Sequence, residues 1–153
     1  MKTLKVRKSF ERFEVEVGDE KVECAIDCTD SSVNALAARC MKARQQALAL
    51  DALKEKTFDR KKLNKLSEDM AAIIGPIIVE SIGDESYDAI LTACGDGVKL
   101  KPAQCNLVMV QVFATVCQAI FERLNDVKQS KAAHYIQDVV ADAQKPDDEK
   151  RDR

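Results

Sequence analysis

The stretch FEVEVGDEKVECAID, residues 13–27, constrains the fold of this chain more than any other part of the sequence. Apolar and polar residues alternate on both sides of a Gly18-Asp19 pair, which predicts two antiparallel strands joined by a tight turn. One face of this β-hairpin is apolar and the other is acidic. Because an isolated two-stranded hairpin is only marginally stable in water, the apolar face must pack against something else. The sequence therefore predicts a hairpin that lies on a helical core.

Two long helices are predicted after the hairpin. The first starts at an N-cap within residues 30–32 and extends to about residue 56, with apolar side chains every three or four positions. The second is expected over residues 60–81. Gly75-Pro76 should kink or split it, because proline lacks the backbone donor and clashes with the preceding turn.

A third long helix is predicted from near Pro102, after a short helix and a Gly-Asp-Gly turn. It is the most hydrophobic element and is expected to form the centre of the core. A second, smaller apolar stripe on its otherwise polar side is either scattered surface or a face that another protein covers. The candidate partner-binding residues on this helix are Val108, Val112, Phe113, Ala119 and Phe121.

These elements predict one domain of the mainly α class with a small N-terminal β-hairpin (α+β), in which three to four long helices pack together. The domain is expected to cover residues 13–143, with the hairpin at 13–27 and the helical part at 31–143. A basic arm, residues 1–12, precedes it. A charged tail, residues 144–153, is expected to be disordered.

The sequence contains no recognisable arrangement of catalytic residues. His134 is the only histidine, and no nucleophile, nucleotide-binding or metalloprotease motif occurs. The six cysteines lack the close pairs of a zinc site and are typical of small core residues. We therefore expect neither an enzyme nor a bound metal or cofactor. A redox protein with a reactive Cys94 beside the Gly-Asp-Gly turn is a third hypothesis.

Lysine and arginine are concentrated in residues 39–65, although the formal net charge of the chain is only −2. Such a cluster could contact nucleic-acid phosphates, which makes a small nucleic-acid-associated protein the alternative function. The candidate basic patch is Arg39, Arg60, Lys61, Lys62 and Lys65. Because these positions are spread over several helix faces, a solvated surface is the favoured interpretation.

The sequence favours a cytoplasmic protein without a membrane partner. No signal-peptide pattern follows the basic N-terminus, and the apolar run of residues 71–79 is too short to span a bilayer.

Three segments share their order with a known family: a hairpin with a helix start, FEVEVGDEKVECAIDCTDSS; a helix end, IIVESIGDESYDAIL; and a connector with a final helix, GDGVKLKPAQCNLVMVQVFATVCQAIFERL. Over residues 13–125, this arrangement resembles the tail assembly chaperones of long-tailed phages and prophages. The resemblance implies a non-enzymatic protein of the bacterial host cytoplasm that binds the helical tape-measure protein and helps recruit tail-tube subunits. Self-association, as a homo-oligomer, would multiply weak contacts of this kind.

Overall fold

A computed structural model describes residues 1–130 and 136–137, in which the chain forms one β-hairpin followed by four α-helices. The elements are β1 (Phe10–Val17), β2 (Glu20–Asp27), α1 (Asp30–Glu55), α2 (Arg60–Ile82), α3 (Asp84–Cys94), a 3₁₀ turn (Pro102–Cys105) and α4 (Asn106–Ser130). This confirms the mainly α class with an N-terminal β-hairpin. The predicted helical stretch after residue 130 lies outside the described residues except for 136–137, and so do His134 and the predicted tail.

The hairpin packs on the helices through one face, as its alternation predicts. Phe13 lies opposite Cys24 and Val15 opposite Val22 in an antiparallel register. Cys24 and Ile26 are buried, and β2 contacts α2 and α3. The acidic residues of the hairpin lie on its other, exposed face.

The hairpin is longer than the sequence predicts. β1 begins at Phe10, which pairs with Asp27, and the N–H of Cys28 donates to the carbonyl of Ser9 at 2.7 Å. Residues 10–12, which were predicted to belong to the basic N-terminal segment 1–12, therefore belong to the strand. Strand pairing uses backbone groups alone, so polar residues can extend the ladder beyond the point where apolar alternation ends.

The start of α1 is fixed by Thr29, one residue before the predicted cap positions. Its hydroxyl oxygen accepts a hydrogen bond from the N–H of Ser32 at 3.4 Å. The carboxylate of Asp27 in turn accepts from the N–H and the hydroxyl of Thr29, at 3.0 and 2.7 Å. Burial acts to raise the pKa of Asp27, but the hydrogen bonds from Thr29 and Ser32 outweigh it and lower that pKa.

α2 continues without a break through Gly75 and Pro76, so of the two predicted outcomes the helix is not split there. Pro76 is exposed, which leaves its ring in solvent and its missing donor on the outer side of the helix. Gly75 faces α3: a Cβ atom there would lie 3.2 Å from the hydroxyl oxygen of Tyr87. Packing of α3 and the hairpin on the inner side of α2 therefore stabilises a helix that proline would weaken in isolation.

The core draws on β2 and all four helices. Its largest fully buried side chains include Ile26, Leu36, Ile74, Ile78, Ile90, Leu91, Met109 and Ile120. Burial stops at Ala43 in α1 and resumes at Met70 in α2, and none of residues 44–69 is buried. We call this helical hairpin, residues 44–69, the arm. The rest of α1 and α2, residues 30–43 and 70–82, is the packed half.

Within the described residues, Pro102–Lys128 is the one segment long and apolar enough to cross a membrane, with a mean hydropathy of 1.5 over 18 residues. Length and composition are its only grounds, and the core helices of soluble proteins meet them too. In this fold α4 packs against α1 and α2, and it supplies Met109, Val116 and Ile120 to the core.

Candidate partner-binding groove

The structure places most of the predicted partner-binding residues inside the core. Val112, Phe113 and Ala119 are buried, and Val108 is partly buried against the core. Only Phe121 is both partly exposed and next to an open surface. The interpretation of Val108, Val112 and Ala119 as a stripe on the polar side of α4 is therefore wrong.

The reason is the width of the buried side of α4. A surface helix usually buries a stripe of about 100°. α4 contacts both α1 and α2, so its buried side extends from Cys117 on one flank to Ala119 on the other. Val110, although it follows the buried Met109 directly, is 37% exposed. The helical spacing of apolar residues predicted α4 correctly, but it underestimated the width of the side that α4 buries in the core.

An open groove of about 500 Å³ lies between α1 and α4. Its floor is formed by buried side chains of Met70, Phe113 and Cys117. Its walls are formed by the more exposed residues Ala47 and Leu48 of α1 and Val110, Ala114 and Phe121 of α4. The α1 wall belongs entirely to the arm, where no side chain is fully buried, although Ala47 and Leu50 still pack against the edge of the core.

The groove has the dimensions and chemistry of a site for one more helix. From Val110 to Phe121 it follows α4 for roughly 16 Å, or about three helical turns. Ala47 and Ala114 are small, so a helix can approach both walls closely. Leu48 is 60% exposed and offers apolar area to whatever enters. Amphipathic helices bind other proteins in grooves of this kind.

Charged and polar side chains mark the rims of the groove. Arg44 and Asp51 lie on the α1 side and Gln118 lies on the α4 side. Neither Arg44 nor Asp51 forms an ion pair with another described residue. Their charges are therefore available to orient a partner helix, which would place an acid beside Arg44 and a base beside Asp51.

The predicted basic patch is not one surface. Arg39 belongs to the packed half, where it is paired with Glu80 at 2.6 Å. It lies roughly 25 Å along α1 from the end of the arm. Residues 60–62 and Lys65 do lie together on the arm, although Lys65 is paired with Asp69 at 2.9 Å. Residues 45–53, which separate the two groups in the sequence, contain no lysine or arginine, but only the fold shows that Arg39 belongs to the packed half and is paired with Glu80.

The structure brings together thiols that are distant in sequence. Cys40 of α1 lies beside Cys117 of α4, and Cys94 of α3 lies beside Cys105. The neighbouring Cys40 thiol and burial together raise the pKa of Cys117. Burial, reinforced by the neighbouring Cys94, raises the pKa of Cys105 to about 11. These pairs arise from helix packing, so cysteine spacing in the sequence could not reveal them.

Burial also raises the pKa of the hairpin thiols Cys24 and Cys28. Since the thiolate is the form that attacks electrophiles and binds metals, these side chains are poor nucleophiles near neutral pH. All six cysteines are free thiols. Among the described residues, no group of three or more His, Cys, Asp or Glu side chains is placed to hold a metal ion.

Comparison with known proteins gives no family for this chain: no family model, no curated protein and no solved structure matches it.

Proposed function

We propose that this chain is a non-enzymatic assembly factor of the tail-assembly-chaperone type, which holds a tape-measure-type helix in the groove between α1 and α4. The observation that carries the proposal is the groove itself, an exposed apolar channel about three helical turns long. The family resemblance of the sequence implies the same class of partner. Of the residues that the sequence assigned to binding, Phe113 and Phe121 line the groove, and Leu48, Val110 and Ala114 take the role assigned to the buried Val112 and Ala119.

The mechanism is temporary burial of an apolar helix face. A tape-measure-type helix exposes apolar side chains until tail-tube subunits surround it, and exposed apolar area favours aggregation in the host cytoplasm. Leu48 is 60% exposed and Val110 37%, so each can gain only part of the about 1.5–3 kcal/mol that full burial of such a side chain is worth. A groove with a few such side chains gives modest affinity, which allows the tail-tube subunits to displace the chaperone later.

Co-purification with a tape-measure protein from the same genome tests the proposal. Leu48→Glu and Ala114→Glu each place a charge in the groove at an exposed position, so both variants should fold. We expect each to weaken binding by at least about tenfold, because an unpaired charge would be buried by the partner.

Val98→Glu is the matched control. Val98 is 69% exposed in the connector between α3 and α4 and does not line the groove. The control should bind like the unmodified chain. Absence of binding by the unmodified chain, or equal losses in the control and the groove variants, would contradict the proposal.

A further inference from the structure

The tip of the arm presents a large apolar side chain to solvent. Phe58, in the turn between α1 and α2, is 92% exposed. The turn is held on both sides: the hydroxyl of Thr57 donates to the carbonyl of Leu53 at 2.7 Å, and Asp59 accepts from the N–H of Lys62 at 3.3 Å. Phe58 is thus fixed outside the fold at the apex of the arm, where it buries nothing in this chain.

Positive charge surrounds this apex. Residues 54–62 carry five basic side chains and two acidic ones. The five basic residues are Lys54, Lys56, Arg60, Lys61 and Lys62. None of them forms an ion pair with a described residue. The apex therefore has the charge to attract an anionic partner and no internal use for that charge.

The arrangement fits a flat partner that is approached end-on. Lys54 lies in the last turn of α1 and Lys62 in the first turn of α2, so Phe58 is flanked by a basic side chain on each helix. The basic residues lie on several helix faces, which disfavours a partner that binds along one side of the arm. A flat partner surface that meets the apex end-on would instead contact basic side chains of both helices around Phe58.

A second apolar area adjoins the apex. Leu53 and Leu66 line an open concavity of about 570 Å³ together with Lys61, Lys62 and Lys65. Leu53 is 53% exposed. Long lysine side chains can lay their apolar stems over such an area and keep their ammonium groups at a polar boundary. Aromatic and aliphatic side chains surrounded by lysines are typical of segments that enter the interface of a bilayer.

We propose that the arm tip docks end-on onto an anionic lipid bilayer, with Phe58 and Leu53 in the interface and the surrounding cations on lipid phosphates. Nucleic acid supplies phosphates too, and a single-stranded base could stack on Phe58. Binding of a nucleic acid in this way would leave the aliphatic Leu53 in water. A lipid surface would bury both Phe58 and Leu53 and therefore explains more of the apolar side chains at the tip. The proposal is independent of the groove. It departs from the expectation of no membrane partner, which rested on bilayer-spanning segments, a signal peptide and the net charge of the whole chain, and not on a local cluster of charge.

Tryptophan fluorescence tests insertion directly, because the chain contains no tryptophan. Phe58→Trp places a single reporter at the apex. Its emission should shift to the blue with vesicles of phosphatidylcholine containing phosphatidylglycerol, and should not shift with phosphatidylcholine alone. Phe10→Trp, at another exposed phenylalanine, is the matched reporter at the start of the hairpin and should not shift. An unchanged Phe58→Trp spectrum, or equal shifts of both reporters, would overturn the proposal.

Vesicle co-sedimentation tests the charges. The double variant Lys61→Glu and Lys62→Glu should lower partitioning onto the phosphatidylglycerol vesicles by at least about tenfold. The control reverses two exposed charges elsewhere, Lys2→Glu and Lys5→Glu, and should lose much less. Tight binding of a DNA or RNA oligonucleotide through Lys61 and Lys62, without vesicle binding, would overturn the lipid proposal in favour of nucleic acid.

Discussion

α1 and α2 each pass through two environments, and the contrast between them explains most of what this molecule can do. In the packed half, α4 contacts both helices and β2 and α3 contact α2, and side chains such as Leu36 and Ile78 are fully buried. In the arm, the same two helices continue with no buried residue. The difference lies in what packs on the helix pair, since the same two helices run through both halves.

The two halves also differ in composition. All six cysteines lie outside the arm, and five of them are buried. The arm instead carries seven lysine and arginine residues within residues 44–69. Small thiols suit a close-packed interior, whereas long cationic side chains suit a surface. The arm supplies one wall of the groove and the basic apex, so both proposed contacts depend on the half that contributes least to the core.

The largest expected effect is on the free energy of unfolding, when the same substitution, leucine to alanine, is made in each of the two halves of α1. Leu36→Ala should lower the free energy of unfolding by about 3 kcal/mol, because it leaves a cavity in the core. Leu53→Ala, in the arm, should change it by less than about 0.5 kcal/mol. Urea denaturation of both variants checks this. Equal losses would mean that the arm shares in the cooperative core.

Thiol labelling gives the next largest contrast. Ala52→Cys adds an exposed thiol to the arm. It should react with a disulfide reagent at least about a hundredfold faster than the buried thiols, which become accessible only when the fold opens. The label is located by mass spectrometry of the digested protein. Labelling of Cys94 as fast as the added thiol would instead support the redox hypothesis.

A smaller effect concerns acid stability at the hairpin end of α1. The hydrogen bonds that lower the pKa of Asp27 stabilise the fold above its unfolded value of 3.8. That contribution disappears as pH falls through the lower folded pKa. Asp27→Asn should therefore cost about 1 kcal/mol at neutral pH and progressively less in acid. Urea denaturation of both proteins over a pH series checks this, and a difference that grew in acid would refute it.

The smallest effects belong to the exposed ion pairs. Arg39→Ala removes the pair with Glu80 in the packed half and should cost less than about 1 kcal/mol. Lys65→Ala removes the pair with Asp69 in the arm and should leave stability unchanged within error. Thermal unfolding at low and high salt measures both. A larger loss for Lys65→Ala than for Arg39→Ala would reverse the proposed contrast between the halves.

Local pattern predicted the elements of this fold well. The alternation in residues 13–27 gave the hairpin, its turn and its buried face. Helical spacing gave the long helices to within a few residues. Backbone pairing at Phe10 and the cap at Thr29 were missed, because each depends on a hydrogen bond to a neighbour and not on side-chain polarity.

The candidate site could not be predicted in the same way. Val110 and Val112 are the same residue type two positions apart, and only the placement of α1 and α2 makes one exposed and the other buried. The contact between Cys40 and Cys117 likewise depends on how two helices pack. The end of burial at Ala43 leaves no trace in the apolar spacing of α1, because Ala47 and Leu50 continue it. The groove is therefore a property of the tertiary structure.

Hydrogen exchange, measured on the full chain with and without a tape-measure fragment, tests the central claim most directly. Binding in the groove should slow backbone exchange in residues 44–51 of α1 and in residues 107–121 of α4, since a docked helix excludes water from both walls. The hairpin, residues 10–27, should be unaffected. Protection confined to the hairpin, with none along either wall of the groove, would contradict the account.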